Sequence, residues 1–560
     1  MAPRDSGTDR RSFLKAAGGA AAAAGFAGCI GGDDGDDGDD GDGGGNGGPL
    51  TYSRGADSAT LDPQDTTSGE DAKVTNQIFD RLVHFKPGGT SLTAGLAKKY
   101  ELNGTEANLT LREGVKFHDG EEFTADDFIA TYRRFLDEEY EYYVNKVYDS
   151  GTHGSIYGPY LLGKVDDVSK DGDYGVTISL SSKYTPFLAN LAVFALSVLS
   201  KKQIEEDGAA VMDDPVGTGP FEFDNWNKGN TTIRLTANDD YWGEGPHVDE
   251  VVFEAVSQNS TRASSLLNGE THIVDGLGVQ PAKQVKNGDG ASLERTEGMN
   301  IGYMVMNMSR VEAFRKKKVR QAINYAINTE SIVNNIYKGM AAQASHPLPP
   351  GVMGYNESLD PYPHDVEKAK SLLEEAGYGD GFTFELATMT NPRPYFPSPT
   401  QTANTIKSNL KDVGVTVNIT KQKWDAHTTY MDKGKHDAGF IGWMSDNGDP
   451  DNFFYPLLHP QMESPDGQDW IEWSNLMENG NTGNYAAWAN AEFMELLDKG
   501  QKESDKSKRE EYYTEAGKIA HDEAPWVFVT HTEVIRGVHD DVKNFNLAKI
   551  GGPFLSRVKL

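Results

Sequence analysis

Residues 109–136, LTLREGVKFHDGEEFTADDFIATYRRFL, combine a strand, a turn and a helix, and this stretch decides the fold class. Leu109 and Leu111 alternate with a polar residue, which is typical of a strand with one buried face. The His-Asp-Gly triplet at 118–120 is a turn signal. Thr124 followed by Asp127 predicts a capping box, and the apolar positions after it recur at helical spacing. A strand that leads through a turn into an amphipathic helix indicates a mixed α/β domain.

The same alternation of strand and helix continues over the rest of the chain. Strand patterns occur at residues 51–54, 178–180, 233–235, 251–253, 382–386 and 415–419. Helical patterns occur at residues 71–85, 319–339, 366–376 and 401–410. We find no internal repeat, so the sequence predicts mixed α/β domains throughout.

The first 28 residues have the pattern of an export signal. Arg10 and Arg11 precede a short alanine-rich apolar run that closes on Ala27-Gly28-Cys29. We expect export by the twin-arginine route, cleavage before Cys29 and lipid attachment to the Cys29 sulfur. A transmembrane helix is the weaker alternative, because about 20 apolar residues are needed to span a bilayer and this run is shorter.

Residues 29–49 are expected to form a lipidated cysteine followed by a disordered tether. From residue 31 to 48 the chain is glycine and aspartate apart from Asn46, and its seven aspartates repel one another. Such a segment buries no apolar surface. A calcium-binding repeat is the weaker alternative, because those repeats need a periodic apolar residue.

Composition excludes several classes of partner. The 560-residue chain has a formal net charge of −32, which opposes binding to nucleic acid or to an anionic bilayer surface. We interpret the acidity as adaptation to high salt, with attraction of cationic ligands as the alternative. Cys29 is the only cysteine, so the body has no disulfide. The 13 histidines and the carboxylates show no metal-ligand spacing, and we predict no metal and no cofactor.

A proline-rich loop at residues 391–397, NPRPYFP, is the first candidate binding segment. Its prolines predict a stiff, extended loop that carries Arg393 and Tyr395. The planar guanidinium of Arg393 suits a carboxylate bidentately. A surface arginine on a connector explains the pattern equally well.

Residues 441–454, IGWMSDNGDPDNFF, are the second candidate, in which a strand runs into an acidic turn and an aromatic pair. An EF-hand is excluded by the proline and by the missing Glu at its last position. Asp446 and Asp449 lack a nearby His or Ser for a catalytic role. We expect the Asp446 carboxylate, beside Trp443, to pair with a cation of a ligand.

Other motifs do not support catalysis. Residues 215–221, PVGTGPF, lack the Gly-Lys-Ser/Thr of a phosphate loop and predict a structural turn before a strand. Neither Gly-x-Ser-x-Gly nor His-Glu-x-x-His occurs in the sequence. His118-Asp119 is explained by its turn. We therefore predict that the protein is not an enzyme.

Taken together, these motifs resemble those of the family 5 extracellular solute-binding proteins, the dipeptide- and oligopeptide-binding receptors of ABC importers. The matching blocks are residues 111–120 with 124–127, 217–221 with 241–243, 319–323 with 325–327, and 347–351. They occur in the family's order from about residue 50 to the C-terminus.

The resemblance implies a periplasmic-binding-protein-like α/β fold of class II and the large family 5 type. Such a fold has two main lobes joined by a hinge and an additional subdomain. Lobe I would comprise residues 50–87, 188–302 and 527–560, the additional subdomain residues 88–187, and lobe II residues 303–526. The protein would act as a monomer.

Within the family, the chain is most similar to the dipeptide-binding branch. The resemblance implies that the segment Arg393, Pro394 and Tyr395 holds the peptide carboxylate. It also implies that the segment Trp443, Met444, Ser445 and Asp446 holds the α-ammonium, and that Thr67 lies in a loop that touches the ligand. The paired cysteines of some relatives are absent, and Met444-Ser445 replaces the usual small residues.

The function implied is capture of dipeptides or short oligopeptides at the extracellular face of the membrane. The lipid-anchored receptor would close over the ligand and deliver it to membrane permease subunits, which work with cytoplasmic ATPase subunits. Alternatives with the same fold are binding of a nickel complex, haem or an oligosaccharide, and a role as a ligand sensor. A surface hydrolase is the least favoured alternative.

Overall fold

The computed structural model describes residues 48–148, 157–462, 467–478 and 483–560. The predicted export signal, Cys29 and all but the last residues of the predicted tether lie outside this part of the chain.

Strands and helices alternate along the described residues, which confirms the mixed α/β fold. The strands are β1 (Leu50–Arg54), β2 (Val83–Phe85), β3 (Leu92–Ala94), β4 (Ala97–Asn103), β5 (Glu106–Leu111), β6 (Val165–Asp171), β7 (Gly175–Leu180), β8 (Phe221–Asn227), β9 (Thr232–Ala237), β10 (Glu250–Ala255), β11 (Ile273–Val274), β12 (Ala291–Glu297), β13 (Asn300–Met306), β14 (Ala341–Gln343), β15 (Thr383–Met389), β16 (Thr416–Gln422), β17 (Ala438–Met444) and β18 (Trp526–His539).

The α-helices cover the faces and ends of the sheets. They are α1 (Gly69–Ile78), α2 (Ala125–Leu136), α3 (Val144–Val147), α4 (Tyr157–Leu162), α5 (Phe187–Asn190), α6 (Lys201–Asp207), α7 (Asn259–Leu267), α8 (Val279–Asn287), α9 (Lys317–Ala326), α10 (Thr329–Ser331), α11 (Val366–Glu375), α12 (Pro399–Lys411), α13 (Trp424–Asp432), α14 (Asp451–Leu458), α15 (Trp473–Glu478), α16 (Ala491–Lys502) and α17 (Lys506–Glu523).

One large mixed sheet has the strand order β16-β15-β17-β13-β18-β11-β1-β10-β9-β8. β18 is its longest strand, and its two halves have different partners. The first half pairs with β13 and β14, and the second half pairs with β11 and β12. A separate antiparallel sheet has the order β4-β5-β7-β6.

The buried apolar residues form several clusters around these sheets. The largest cluster lies between Met299 and Val529, and a second one includes β1, α1 and Val538. A third surrounds the β4-β5-β7-β6 sheet and extends from Leu82 to Val198, with Ile550 added. β18 contributes Trp526 to the first cluster and Val538 to the second, so this one strand runs through both.

The deciding stretch at 109–136 folds as predicted. β5 ends at Leu111, and α2 opens with the reciprocal capping box of Thr124 and Asp127. The turn at 118–120 packs against the glycine-rich turn, because His118 Nδ1 accepts from the Gly217 N–H at 3.3 Å. A Cβ on Gly217 would lie 1.9 Å from the Ile78 carbonyl oxygen, so this turn is a close-packed structural element.

Two local predictions were wrong. The helix expected over residues 71–85 ends at Ile78, because Phe79 turns to extended backbone and is buried, and β2 then pairs with β3. The proline-rich loop is not extended. The backbones of Arg393 and Phe396 exchange hydrogen bonds of 3.0 and 2.9 Å, which fold the loop into a tight turn.

Candidate ligand-binding site

The acidic loop (residues 445–450) connects β17 to α14. It is fixed to the sheet by the Ser445 N–H, which donates to the Met299 carbonyl at 2.8 Å. Within the loop, the Gly448 N–H donates to Ser445 Oγ at 2.8 Å and the Asp449 N–H donates to Asn447 Oδ1 at 2.9 Å. The loop therefore presents its side chains in a defined arrangement.

Two of the three carboxylates in and beside this loop lie close to a protein cation, the guanidinium of Arg509. Asp449 receives a bidentate pair of 2.7 Å bonds from the guanidinium of Arg509. Asp451 accepts from Gln501 at 3.1 Å and from the Tyr513 hydroxyl at 3.2 Å. Burial, together with the negative charge of Asp449, raises the pKa of Asp451 to about 7. These two side chains stabilise the structure around the loop.

Asp446 is different. Its carboxylate accepts from the Tyr157 hydroxyl at 2.8 Å and from the Asn452 amide at 3.3 Å. Among the described residues no cationic side chain acts on it, and burial raises its pKa to about 6. Asp446 is thus an enclosed acid with neutral hydrogen-bond donors and no counter-charge from the described protein.

Aromatic side chains surround Asp446. Asn452 links them, because its Oδ1 accepts from Trp443 Nε1 at 2.8 Å and its Nδ2 donates to the Tyr160 hydroxyl at 2.5 Å. The rings of Tyr160 and Trp443 meet edge to face at 6.5 Å. This wall keeps water from much of the carboxylate and accounts for the raised pKa.

The segment 157–190 packs against the acidic loop and the helices that follow it. Besides the Tyr157 bond, Asn447 donates to Asn190 Oδ1 at 2.7 Å. The Tyr184 hydroxyl donates to Asp451 at 3.2 Å, and the Thr185 N–H donates to the Gln501 carbonyl at 2.7 Å. The contacts are mostly polar hydrogen bonds, of the kind that water can replace when two surfaces separate.

Arg393 is half-buried, with its guanidinium carbon 4.0 Å from the centre of the Trp424 ring. Its Nε is buried and, among the described residues, has no hydrogen-bond partner. The Tyr395 hydroxyl lies beside the guanidinium. Burial raises the pKa of Tyr395, and the positive charge of Arg393 opposes that rise. An oriented cation with free donors suits a carboxylate.

Arg393 and Asp446 lie on elements of the same core cluster. The Tyr395 ring packs on β17 so closely that a Cβ on Gly442 would lie 2.2 Å from Tyr395 Cδ2. Tyr395 and Trp443 belong to or pack against that one cluster. The proline-rich turn that carries Arg393 and the strand that leads to Asp446 therefore pack directly against each other.

The other predicted site residues have different environments. Met444 is 46% exposed and Pro394 is exposed, whereas Ser445 is buried and its hydroxyl supports the loop. Thr67 is exposed in the loop before α1, whose N-cap is Ser68. Its contact with a ligand remains a prediction.

Comparison with known proteins identifies the family of this chain. Residues 91–464 match the model of the bacterial extracellular solute-binding proteins, family 5. The chain belongs to this family. Family 5 proteins are binding proteins of transport systems and not enzymes, and they work in the extracellular or periplasmic space. In the described part of this family 5 protein, no helix combines the length and apolar character needed to cross a membrane.

Individual relatives cover almost the whole chain. The dipeptide-binding protein of Escherichia coli (strain K12) is 31% identical over 91% of this chain and 94% of its own length. Heme-binding protein A of Haemophilus influenzae is 32% identical over 85% of this chain and 86% of its own. The structure of the periplasmic binding protein DppA from Helicobacter pylori in complex with the peptide STSA is 31% identical. It has a TM-score of 0.77 and covers 92% of this chain and 98% of that one.

Sequence reasoning missed four residues of the candidate site. Tyr157, Tyr160 and Asn452 surround the Asp446 carboxylate, and Trp424 supports Arg393. The two tyrosines are separated by more than 280 residues from the acid they enclose. Asn452 lies only six residues from Asp446, inside the acidic segment 441–454. Of the four missed residues, it is the one that the local sequence could have indicated.

Proposed function

We propose that this family 5 protein is an extracellular, lipid-anchored receptor that captures dipeptides or short oligopeptides for an ABC importer. The peptide binds as a zwitterion, with its α-ammonium on the Asp446 carboxylate and its terminal carboxylate on the Arg393 guanidinium. Recognition is by binding alone, without chemistry on the peptide.

The observation that carries this proposal is the unpaired state of Asp446. The guanidinium of Arg509 pairs with Asp449 and its positive charge also acts on Asp451, while Asp446 has neutral donors only. An enclosed carboxylate without a counter-charge is costly. A ligand ammonium supplies the missing positive charge, so peptide binding removes this free-energy cost.

Arg393 supports the other end of the ligand. The Trp424 ring lies over the guanidinium and restrains it, and the buried Nε has no hydrogen-bond partner among the described residues. Because the segments that carry the two charges pack against each other, we expect their separation to change little when other parts of the protein move. A fixed separation selects peptides by backbone length, since both ends must reach their partners.

Closure would come from the rest of the molecule. We propose the two lobes and the additional subdomain at the boundaries expected from the sequence, with β18 as one of the strands that cross between them. The contacts of segment 157–190 with the acidic loop then represent a closed state. A peptide favours that state because Tyr157 and Tyr160 exclude water from its ammonium. The closed surface would dock on permease subunits.

The remaining parts of the proposal concern the environment. Twin-arginine export and a lipid on Cys29 would place the body at the extracellular face, with the glycine-aspartate segment as a spacer. The net charge of −32 suits a medium of high salt, in which counterions screen surface repulsion. An enclosed ion pair at Asp446 is screened much less, so peptide binding should persist in molar salt.

Calorimetry of the purified body in molar salt tests the proposal. A free dipeptide should bind, and its N-acetylated and C-amidated forms should each bind at least about 30-fold more weakly, because each loses one charged hydrogen-bonded anchor. Equal affinity for free and blocked peptides would contradict it. Haem, oligosaccharides and nickel–histidine complexes serve as competitors, and binding of one of these instead of peptides would identify a different ligand.

A further inference from the structure

Seven Asn-x-Ser/Thr triplets in which x is not proline occur in the sequence. They begin at Asn103, Asn108, Asn230, Asn259, Asn307, Asn356 and Asn418. In an extracellular protein such a triplet is an acceptor for an N-linked glycan. The triplet alone does not decide modification, because an enzyme must also reach the asparagine amide, and the seven differ in accessibility.

Two of the triplets are buried. Asn307 is fully buried, and its amide donates to the His436 carbonyl at 3.1 Å. Asn356 is 7% exposed, and its side-chain oxygen accepts from the Ser358 N–H at 3.0 Å. An enzyme that meets the folded protein cannot reach either amide.

Three more triplets begin inside regular secondary structure. Asn108 lies in β5, the strand between β4 and β7, and its side chain contacts Glu106 and Thr177. Asn418 lies in β16, which pairs with β15, and Asn259 is the first residue of α7. To enter an active site, each of these segments would first have to lose backbone hydrogen bonds of its strand or helix, which costs free energy.

Asn103 is different because it ends β4 at the tight turn to β5. Asn103, Gly104 and Thr105 are all exposed, and Gly104 has a φ of +66°. A Cβ added to Gly104 would meet no atom within 4 Å, so the turn lies in open space. Among the described residues, none forms a hydrogen bond with the Asn103 amide.

Asn230 lies in the turn 228–231 between β8 and β9. Asn227 Oδ1 holds this turn, since it accepts from the N–H groups of Gly229 at 3.0 Å and Asn230 at 3.3 Å. Asn230 is exposed, and in the part of the chain that the structure describes its amide has no partner. The hydroxyl of Thr232 donates to the Asn230 carbonyl at 3.3 Å, which keeps the two acceptor residues close together.

Both turns lie at the end of an outer strand. β4 is an outer strand of the β4-β5-β7-β6 sheet, and β8 is an outer strand of the large sheet. An outer strand presents unpaired backbone groups on which another chain can pair. A bulky, hydrated glycan at the end of each strand would hinder such pairing.

We propose that Asn103 and Asn230 carry N-linked glycans, added to the folded protein outside the cell, and that these glycans cover the sheet edges formed by β4 and β8. The inference uses the extracellular location and the twin-arginine export of the proposed function, because that route carries folded proteins. It does not depend on peptide binding, since neither residue belongs to the candidate ligand-binding site.

The modification needs a membrane transferase and a lipid-linked oligosaccharide phosphate as the donor. The side-chain amide nitrogen forms a bond to the anomeric carbon of the first sugar, and the bond from that carbon to the phosphate oxygen breaks. The amide loses one proton, and the lipid phosphate leaves with the electron pair. Nothing is oxidised or reduced.

Mass spectrometry of the mature protein, purified from the cells that produce it naturally, tests the proposal. Peptides that contain Asn103 and Asn230 should carry the added mass of a glycan, and peptides with the other five triplets should have their unmodified mass. Unmodified peptides at both Asn103 and Asn230 would overturn the proposal. A glycan on Asn307 or Asn356 would contradict modification of the folded protein.

Two double variants made in the same cells test the acceptor assignment and the role of the glycans. Thr105→Ala with Thr232→Ala removes both acceptor hydroxyls, so the added mass should be lost completely. Thr105→Ser with Thr232→Ser is the matched control and should keep it. In sedimentation experiments in molar salt, the Ala pair should self-associate and the Ser pair should remain monomeric. Equal sedimentation of the two would refute the covering of the sheet edges.

Calorimetry with a free dipeptide distinguishes the glycan assignment from the proposed function. Both double variants should bind the peptide with wild-type affinity, because the two turns lie outside the candidate site. A protein that carries the glycans but binds no peptide would overturn the proposed function alone. A protein that binds peptides and carries no glycan would overturn the glycan assignment alone.

Discussion

Replacing Asp446 with asparagine should stabilise the ligand-free protein and weaken peptide binding at the same time. The structure raises the pKa of this carboxyl from about 4 to about 6, so the folded state favours its neutral form. Ionised Asp446 therefore destabilises the fold by up to about 3 kcal/mol above pH 6. The amide removes that charge and keeps the oxygen that accepts from Tyr157.

Thermal unfolding measures the first effect. A gain of about 1–3 kcal/mol corresponds to about 1–3 °C in Tm for a chain of this length. The gain should appear at pH 8 and be almost absent at pH 3, because below both pKa values the wild-type carboxyl is mostly neutral in the folded and the unfolded state. Asp380→Asn, which makes the same charge change at an exposed position, is the control and should change little.

Calorimetry measures the second effect. Asp446→Asn should weaken the binding of a free dipeptide by at least about 2 kcal/mol, or about 30-fold, because the ammonium loses its counter-charge. The N-acetylated dipeptide should bind the variant and the wild type equally. A variant that is less stable at pH 8, or that binds the free dipeptide with wild-type affinity, would refute the reasoning.

Three further substitutions are predicted as follows. Arg393→Gln should weaken the binding of free dipeptides about 30-fold and leave the affinity for C-amidated dipeptides unchanged, as measured by calorimetry. An equal loss of affinity for both forms would show that the peptide carboxylate binds elsewhere. Asp449→Asn leaves the buried guanidinium of Arg509 without its carboxylate and should lower the free energy of unfolding by about 3–5 kcal/mol, measured by denaturant unfolding. An unchanged unfolding midpoint would disprove this structural role of Asp449. Tyr157→Phe removes a hydrogen bond to ionised Asp446, which should raise the pKa of this carboxyl. The midpoint of the pH dependence of peptide affinity should therefore move upwards by about half a pH unit or more. A downward shift would contradict donation of the hydrogen bond from Tyr157 to Asp446.

Elements with strong local signals could be predicted from the sequence. The capping box of α2 and the glycine after α11 mark helix ends through hydrogen bonds and backbone conformations within a few residues. The strands β15 and β16 and the helix between them follow from apolar periodicity. The family motifs then identified the fold, which the comparisons confirm.

Features that depend on long-range packing could not be predicted. Asp62 and Arg134 form a fully buried pair at 2.6 Å across 72 residues, and neither differs locally from a surface charge. The helix expected over 71–85 failed for a related reason, because tertiary burial of Phe79 and pairing of β2 with β3 override local helical spacing. The same holds at the site, where the sequence indicated Asp446 but not the tyrosines that enclose it.

The most direct test of the central claim is the number of protons released when a dipeptide binds. At pH 6 about half of the Asp446 carboxyls in the free protein carry a proton, and an ammonium ligand should expel it. Calorimetry in buffers of different ionisation enthalpy should show release of about 0.5 proton at pH 6 in the wild-type protein and none at pH 6 in Asp446→Asn. At pH 8 the wild-type carboxyl is already ionised, and both proteins should instead take up about 0.5 proton, because the α-amino group of the free dipeptide has a pKa near 8. Binding without proton release at pH 6 in the wild-type protein would contradict the claim that the ligand ammonium meets the Asp446 carboxylate.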